Sequence, residues 1–395
     1  MQTVDAAGLP IGDDHPPRIM GVLNISEESP YDPSVYDDAD EAARYVLDEL
    51  VAEGADIVDV GLESANKRFD VLRADQELDR LDTALEVVDR VEDQAEGDVV
   101  FSIETRYHEV ADEALSQGFD VVNDIAGFAD PELPNVCEAH DAAVFKMASP
   151  PNVERPGAVE ETDWIDRKGN EWAESADYVD QVYEALKQHG ITDKTIVDPA
   201  FGGWSEAKTI EDDRETFRRL REFRGLGQPI LVSINRKNFL KAIAGRDTDG
   251  ALPVSLAATS MAVERGAHVI RTHDVAQTRD AALVGNAFTR DRIATPTIEE
   301  LDVTRVPEAA RHIERLDGDE SIAGGAVAST FEIRDLDPDA RQALEDAAST
   351  SDAVLTGRDP VFLAGTVEAL RRLAERLDAG EPGIGAVADR LTALR

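Results

Sequence analysis

Eight short apolar runs punctuate the first 290 residues, and each runs into a polar or charged group. They are RIMGVLN (ending at Asn24), DIVDVGLES (Glu63), VVFSIET (Glu104), VVNDIAG (Asn123), AVFKMAS (Lys146), TIVDP (Asp198), ILVSINRK (Lys237) and HVIRTHD (His273). Strands that are apolar along their length and polar at their C-terminal ends predict a (β/α)8 barrel whose active site is built from those ends. Amphipathic stretches at 38–53, 74–95, 107–118, 131–141, 171–190, 211–225, 253–266 and 276–290 fill the gaps. Strand–helix alternation of this kind calls for an all-parallel sheet with helices on its faces. A doubly wound open sheet is the alternative, but no G-x-G-x-x-G follows the first run. Past Thr295-Pro296-Thr297 the composition shifts. The expected organisation is an N-terminal extension (1–17), an α/β barrel (18–295) and a small α/β C-terminal appendage (296–395). In the appendage, AARHIERL, PDARQALEDAA and VEALRRLAERLDAG read as helices, and VASTFEIRDL and SDAVLTGRD as strands.

Charge sets the class of partner. The chain has 82 Asp and Glu against 40 Lys and Arg, a formal net of −42. The acidic residues alternate with apolar ones at helical spacing, so they decorate folded helices rather than a disordered tail. A surface so acidic suits high salt, where screening relieves self-repulsion; the expectation is a halophilic protein. Nucleic acid is excluded as a partner, because phosphate contacts need a basic footprint. One cysteine, Cys137, rules out an internal disulfide framework and reads as a buried structural thiol. No run of about 18 apolar residues predicts a membrane helix, and MQTVDAAGLPIGDD lacks the regions of a signal peptide. A cytoplasmic protein without membrane contact is expected.

The strand tips supply Asn24, Glu63, Glu104, Asn123, Lys146, Asp198, Lys237, Arg271 and His273. Carboxylates and amides can read a ligand that presents N–H donors in a plane, such as an aminopyrimidine. Arg, His, Asn and a bound Mg2+ can hold a phosphate or pyrophosphate. The mixture suits a heterocycle with a phosphorylated arm. Arg271 and His273 alternate along one strand and so face the same way. Glu63 reads as a group that orients the following loop.

The order of these motifs resembles the dihydropteroate synthase family over about residues 18–290. IMGVLNIS resembles I-M-G-x-L-N-x-T, GADIVDVGLES resembles G-A-D-I-I-D-I-G-G-E-S, and FSIET stands where the family has S-V-D-T. NDIAG, IVDPAFG, LVSINRKNF and IRTHDV resemble N-D-I-S-G, L-D-P-G-I-G, L-V-G-x-S-R-K-S-F and V-R-V-H-D-V. The resemblance implies a transferase of folate biosynthesis. In it, 4-aminobenzoate displaces pyrophosphate from 6-hydroxymethyl-7,8-dihydropterin pyrophosphate to give 7,8-dihydropteroate. By matching motif, it implies that Asn24, Arg271 and His273 hold pyrophosphate, with Asn24 on Mg2+. Glu104, Asn123 and Asp198 would pair with the pterin, Lys237 would donate to it and Met147 would pack on its ring. Asp32 would stabilise a pterin cation, and a homodimer is implied.

The chain also departs from the family pattern. Ala65-Asn66 followed by Lys67-Arg68 replaces the family's Thr-Arg on the loop that handles the acceptor. Asn66, Lys67 and Arg68 are therefore candidates for that role. Glu104 replaces an Asp, one methylene or about 1.5 Å longer. Ser233 replaces a pocket Gly, and GGWSEAK replaces G-F-G-K. Two alternatives stand beside the synthase. One is a pterin-binding homologue with another acceptor amine or no synthase activity. The other is a pterin-dependent methyltransferase.

Overall fold

The computed structural model describes residues 1–26, 34–63, 71–95, 97–295, 297–377 and 384–394. The chain forms two compact units, one of Met1–Leu220 with Gln228–Arg290, the other of Arg221–Gly227 with Asp291–Arg395.

In the first unit the eight expected runs become eight parallel strands: β3 (Arg18–Asn24), β4 (Ile57–Gly61), β5 (Val100–Thr105), β6 (Val121–Asp124), β7 (Ala143–Met147), β8 (Thr195–Asp198), β9 (Leu231–Val232) and β10 (Val269–Thr272). They are ordered β8-β7-β6-β5-β4-β3-β10-β9. A parallel bridge between Val197 and Ile230 joins the two outermost strands, so the sheet is a closed (β/α)8 TIM barrel. The doubly wound alternative is thereby excluded. Helices cover the outside, as the amphipathic stretches require. The stretch expected as one helix over 171–190 is instead broken. Asp177 caps a new helix, Tyr178–Lys187, by accepting from the Asp180 N–H.

The N-terminal extension, for which the sequence predicts no elements, forms a hairpin, β1 (Val4–Ala6) with antiparallel β2 (Leu9–Ile11). Val4, Ala6 and Ile11 join Met20, Ile57, Val100, Val121, Ala143, Phe145, Ile196, Leu231 and Val269 in one buried cluster. The barrel residues of that cluster sit at or near the starts of their strands. The hairpin therefore stoppers the end opposite the polar tips.

The second unit contains a short ribbon, β11 (Ala294–Thr295) with β12 (Ile298–Glu299). It also holds a three-stranded antiparallel sheet in the order β13 (Ala328–Ile333), β15 (Val361–Thr366), β14 (Val354–Gly357). The central strand β15 and the helix Gly385–Thr392 are not expected from the sequence. VFLAGT passes straight into the helix Val367–Ala374, with Thr366 both the last strand residue and the helix cap, and that overlap hides the strand. Leu344, Leu363, Leu370, Leu373 and Ile384 form this unit's core. Within the same unit, Arg221 Nε donates to Asp302 Oδ2 at 3.1 Å, tying in the 221–227 segment.

Candidate active site

Register brings the polar tips together. Asn24 lies beside Gly61, Gly61 beside Glu104, and Glu104 beside Asn123, across four adjacent strands. Gly61 leaves a gap in this row. A Cβ there would lie 3.2 Å from Asn24 Oδ1 and 3.8 Å from Glu104 Oε1. Asn24 Nδ2 donates to Ser34 Oγ at 2.8 Å, which turns its amide oxygen into the mouth.

Arg271 binds this row together. Its Nη2 donates to Glu104 Oε2 at 2.6 Å and its Nε to Asp59 Oδ2 at 2.7 Å. Asp59 also accepts from Asn123 Nδ2 at 3.0 Å. Burial pushes the Glu104 carboxyl up to about 7, with Arg271 pulling it down and Asp59 pushing it further up. The same burial would lower the Arg271 guanidinium, but the two carboxylates hold it above its ordinary value. Asp59 is not among the residues expected from the sequence. Its signal is nonetheless present: a lone carboxylate in the middle of the apolar run IVDVG.

Asn123 and Asp124 divide their work. Asp124 accepts from the Ala126 and Phe128 N–H groups and shapes the turn, which frees Asn123 to face inward. Asp198 Oδ1 caps its own turn by accepting from Ala200 N at 2.8 Å. Its carboxyl is pushed up to about 6, by burial against the pull of the Ala200 N–H, Lys237 and Arg271. Buried Met147 is its neighbour on β7. Lys237 is lowered to about 8 by burial and by Arg271, so it remains largely charged at neutral pH. Gly202 (φ +124°) makes room for it, since a Cβ there would lie 3.1 Å from Lys237 Nζ. Trp204 lies beside it, with Nζ 6.0 Å from the indole ring.

His273 follows β10 directly. Burial, Arg271 and Lys237 lower its pKa to about 3, so the imidazole is neutral at physiological pH. It can donate a hydrogen bond to an anion but adds no charge. The neighbouring loop is fixed by Arg236, whose Nε and Nη2 both bind Asp274 at 2.8 Å. This pair is not anticipated by the sequence reading.

Lys146, expected as a polar tip of the mouth, is a correction. It lies between inward-facing Phe145 and Met147, so period-2 alternation turns it away from the mouth. Its ammonium donates to the Leu186, Gln188 and Gly190 carbonyls and closes the end of the helix Tyr178–Lys187. Asp32, Asn66, Lys67 and Arg68 lie outside the described residues. The base of the second loop is nevertheless visible. Glu63 accepts from Leu72 N at 2.9 Å and pairs with buried Arg106. Tyr107 Oη donates to Leu72 O at 2.6 Å. Glu63 thus anchors the base of that loop.

Behind β5, Glu77 is 1% exposed and accepts from Thr105 Oγ1 at 2.5 Å. Burial pushes its carboxyl up to about 7 from 4.5. A carboxyl raised on folding gives stability that is full below the unfolded value and is lost as pH rises through the folded one. The shift corresponds to a cost of about 3 kcal/mol at pH 8. Glu77→Gln keeps an acceptor for Thr105 and removes the charge. It is expected to raise the unfolding free energy by about 1–3 kcal/mol at pH 8 and by almost nothing at pH 4. Denaturant titrations at the two pH values check this; an equal effect at both would contradict it.

Comparison with known proteins matches this geometry. The sequence pattern of a family described as "Pterin binding enzyme" matches residues 20–273. The chain belongs to that family. Its pterin-binding barrel is 32% identical, over 269 residues, to a protein of Halobacterium salinarum called "Probable bifunctional folylpolyglutamate synthase/dihydropteroate synthase". That match covers 68% of this chain but 31% of the relative, so the chain spans about a third of the bifunctional protein's length. It is 28% identical to the dihydropteroate synthase of Bacillus subtilis, covering 66% of this chain and 84% of that one. Among solved structures, a dihydropteroate synthase of Coxiella burnetii in complex with pteroic acid superposes with a TM-score of 0.55. It is 28% identical, over 72% of this chain and 98% of that one. The dihydropteroate synthase of Thermus thermophilus in complex with 6HMPPP gives 0.54 at 29% identity, over 73% and 99%. Among the described residues, no helix is long and apolar enough to cross a membrane.

Proposed function

We propose that this pterin-binding barrel is a dihydropteroate synthase, a transferase that joins 4-aminobenzoate to 6-hydroxymethyl-7,8-dihydropterin pyrophosphate. The observation that carries the reading is Arg271, a guanidinium suited to an anion that is held 2.6 Å from Glu104, one of the heterocycle-reading groups, in the same mouth. The names of its relatives in Bacillus subtilis and Halobacterium salinarum support the same reaction.

In this reaction the pterin methylene C–O bond breaks and pyrophosphate leaves with the electron pair. The aromatic amine then forms the new C–N bond and loses one proton. Glu104, Asn123 and Asp198 accept from the pterin's N–H groups, and Lys237 donates to its carbonyl edge. Arg271 takes the developing charge on pyrophosphate, and neutral His273 donates a hydrogen bond to it. Met147, buried beside Asp198, would pack against the ring.

The mouth also suits a Mg2+ ion. The Asn24 amide oxygen faces the gap above Gly61, opposite a Glu104 oxygen, and hard oxygen donors are what Mg2+ prefers. Asn24 would hold the ion together with phosphate oxygens, and the ion would offset their charge.

The enzyme is proposed to work as a cytoplasmic homodimer. Cys137, buried with its thiol pushed up to about 12, fits a chain that forms no internal disulfide. Met261, Leu283, Val284 and Phe288 are exposed on or beside the adjacent helices Leu252–Glu264 and Val275–Ala287 and offer an apolar face to a second copy.

The reading is tested by pyrophosphate release in molar KCl with and without 4-aminobenzoate. Release that depends on the acceptor is expected. Tight pterin binding without release would point to a homologue with another acceptor. Lys237→Ala and Asp198→Ala are each expected to raise the pterin-substrate KM by about 10–100-fold, the worth of one charged hydrogen bond. His273→Ala is expected to lower kcat by about 10²-fold with KM little changed. Wild-type kinetics in all three would refute these assignments.

A further inference from the structure

Asp59 lies wholly buried on β4, and none of the ligand-reading assignments includes it. One oxygen, Oδ2, accepts from both Asn123 Nδ2 at 3.0 Å and Arg271 Nε at 2.7 Å. The other, Oδ1, is buried with no hydrogen-bond partner among the described residues. A half-satisfied carboxylate inside a barrel is costly for packing alone. Its value lies in what it does to its neighbours.

We propose that Asp59 is a positioning residue that fixes the polarity of the Asn123 amide toward the ligand. A carboxylate can only accept, so Asn123 must turn its NH2 toward Asp59. That leaves the Asn123 carbonyl oxygen for the ligand. A ligand edge at this point must therefore donate, as a ring N–H or amino group does. The same carboxylate takes Arg271 by Nε, so the rest of the guanidinium fork is left to Glu104 and the mouth. One buried charge thus sets the donor–acceptor pattern of both the heterocycle side and the anion side.

The inference deepens the pterin reading and rests on it. Both bonds fall on one oxygen of Asp59, so the amide of Asp59→Asn can place its own oxygen there and keep both, with its nitrogen where Oδ1 stands. Asp59→Leu supplies no acceptor and releases the Asn123 amide to turn over and present NH2 to a donor edge.

The experiment compares the wild type, Asp59→Leu and Asp59→Asn by titration with 6-hydroxymethylpterin in molar KCl, with thermal unfolding alongside. Asp59→Leu is expected to lose at least about tenfold in affinity, one misplaced hydrogen bond. Asp59→Asn keeps the acceptor and is expected to stay within about threefold of wild type. Wild-type affinity in Asp59→Leu overturns the proposal. A folded Asp59→Asn that loses about tenfold or more overturns it too, and decides the question even where Asp59→Leu fails to fold. Absence of pterin binding by the wild type would instead overturn the functional reading on which the proposal stands.

Discussion

Arg271→Leu is expected to lower acceptor-dependent pyrophosphate release by at least about 10³-fold and to destabilise the fold by about 3–5 kcal/mol. The first effect follows from charge. His273 is neutral, with its pKa lowered to about 3, so Arg271 is the principal guanidinium at the point where pyrophosphate would leave. The second follows from burial. Asp59 and Glu104 both hydrogen-bond Arg271 and are both taken out of water. Removing the cation leaves two uncompensated carboxylates side by side. Glu104, already pushed up to about 7 with Arg271 in place, loses the group that pulls it down and takes up a proton on folding, so the loss of stability grows as pH rises above about 7. Adding Glu104→Gln to Arg271→Leu should return part of the stability and none of the turnover. Steady-state kinetics and denaturant titrations at pH 6 and pH 8 check both. Turnover within tenfold of wild type, or a loss of stability independent of pH, would contradict the account.

Transfer from molar KCl to a dilute buffer is expected to unfold the protein at room temperature. A net charge of −42 on 395 residues is a large self-repulsion. At about 1 M salt the Debye length is roughly 3 Å, and neighbouring carboxylates scarcely feel one another. At about 0.01 M it is roughly 30 Å, comparable to a domain, and the acidic helices repel as a whole. The surface ion pairs do not offset this. Contacts such as Arg218 with Glu211 and Glu215 are solvent-exposed, and pairs of this kind add little to stability. Circular dichroism across a KCl series measures the effect. An unchanged melting temperature in salt-free buffer would reject it, while full recovery on restoring salt would show the transition to be electrostatic.

The barrel is legible in the sequence because its code is short. A brief apolar run that ends in a polar residue marks a strand and its active end together. What stays hidden lacks that contrast. The β1–β2 hairpin spends six residues to bury three side chains, too few for any periodicity to show. β15 shares Thr366 with the cap of the following helix, so no separate loop marks its end. Nearness to a strand end misplaces Lys146, because the side a residue faces depends on its parity along the strand. Parity sends it outward. The site is legible where a strand end carries one polar group, as at Glu104, Asp198 or Arg271. It is not legible where a group acts across the barrel. Asp59 meets Arg271 from 212 positions away, and Arg236 meets Asp274 from 38. No local pattern announces such pairs.

The row of Asn24, Gly61, Glu104 and Asn123 has a consequence for how such a protein can change. These four positions are set by ladder hydrogen bonds between adjacent strands, and a strand cannot slip by one residue without turning its inner face outward. Their spacing is therefore locked, and adaptation at the floor of the mouth can proceed only by exchanging one side chain for another in place. The rim is under no such constraint. Connections between strands and helices can lengthen at small thermodynamic cost. Glu at position 104 is a change of the first kind, a longer side chain at a fixed address. The extended GGWSEAK segment, which brings Trp204 beside Lys237, is a change of the second. A lineage with this architecture can exchange what reacts at the rim far more readily than what is recognised at the floor.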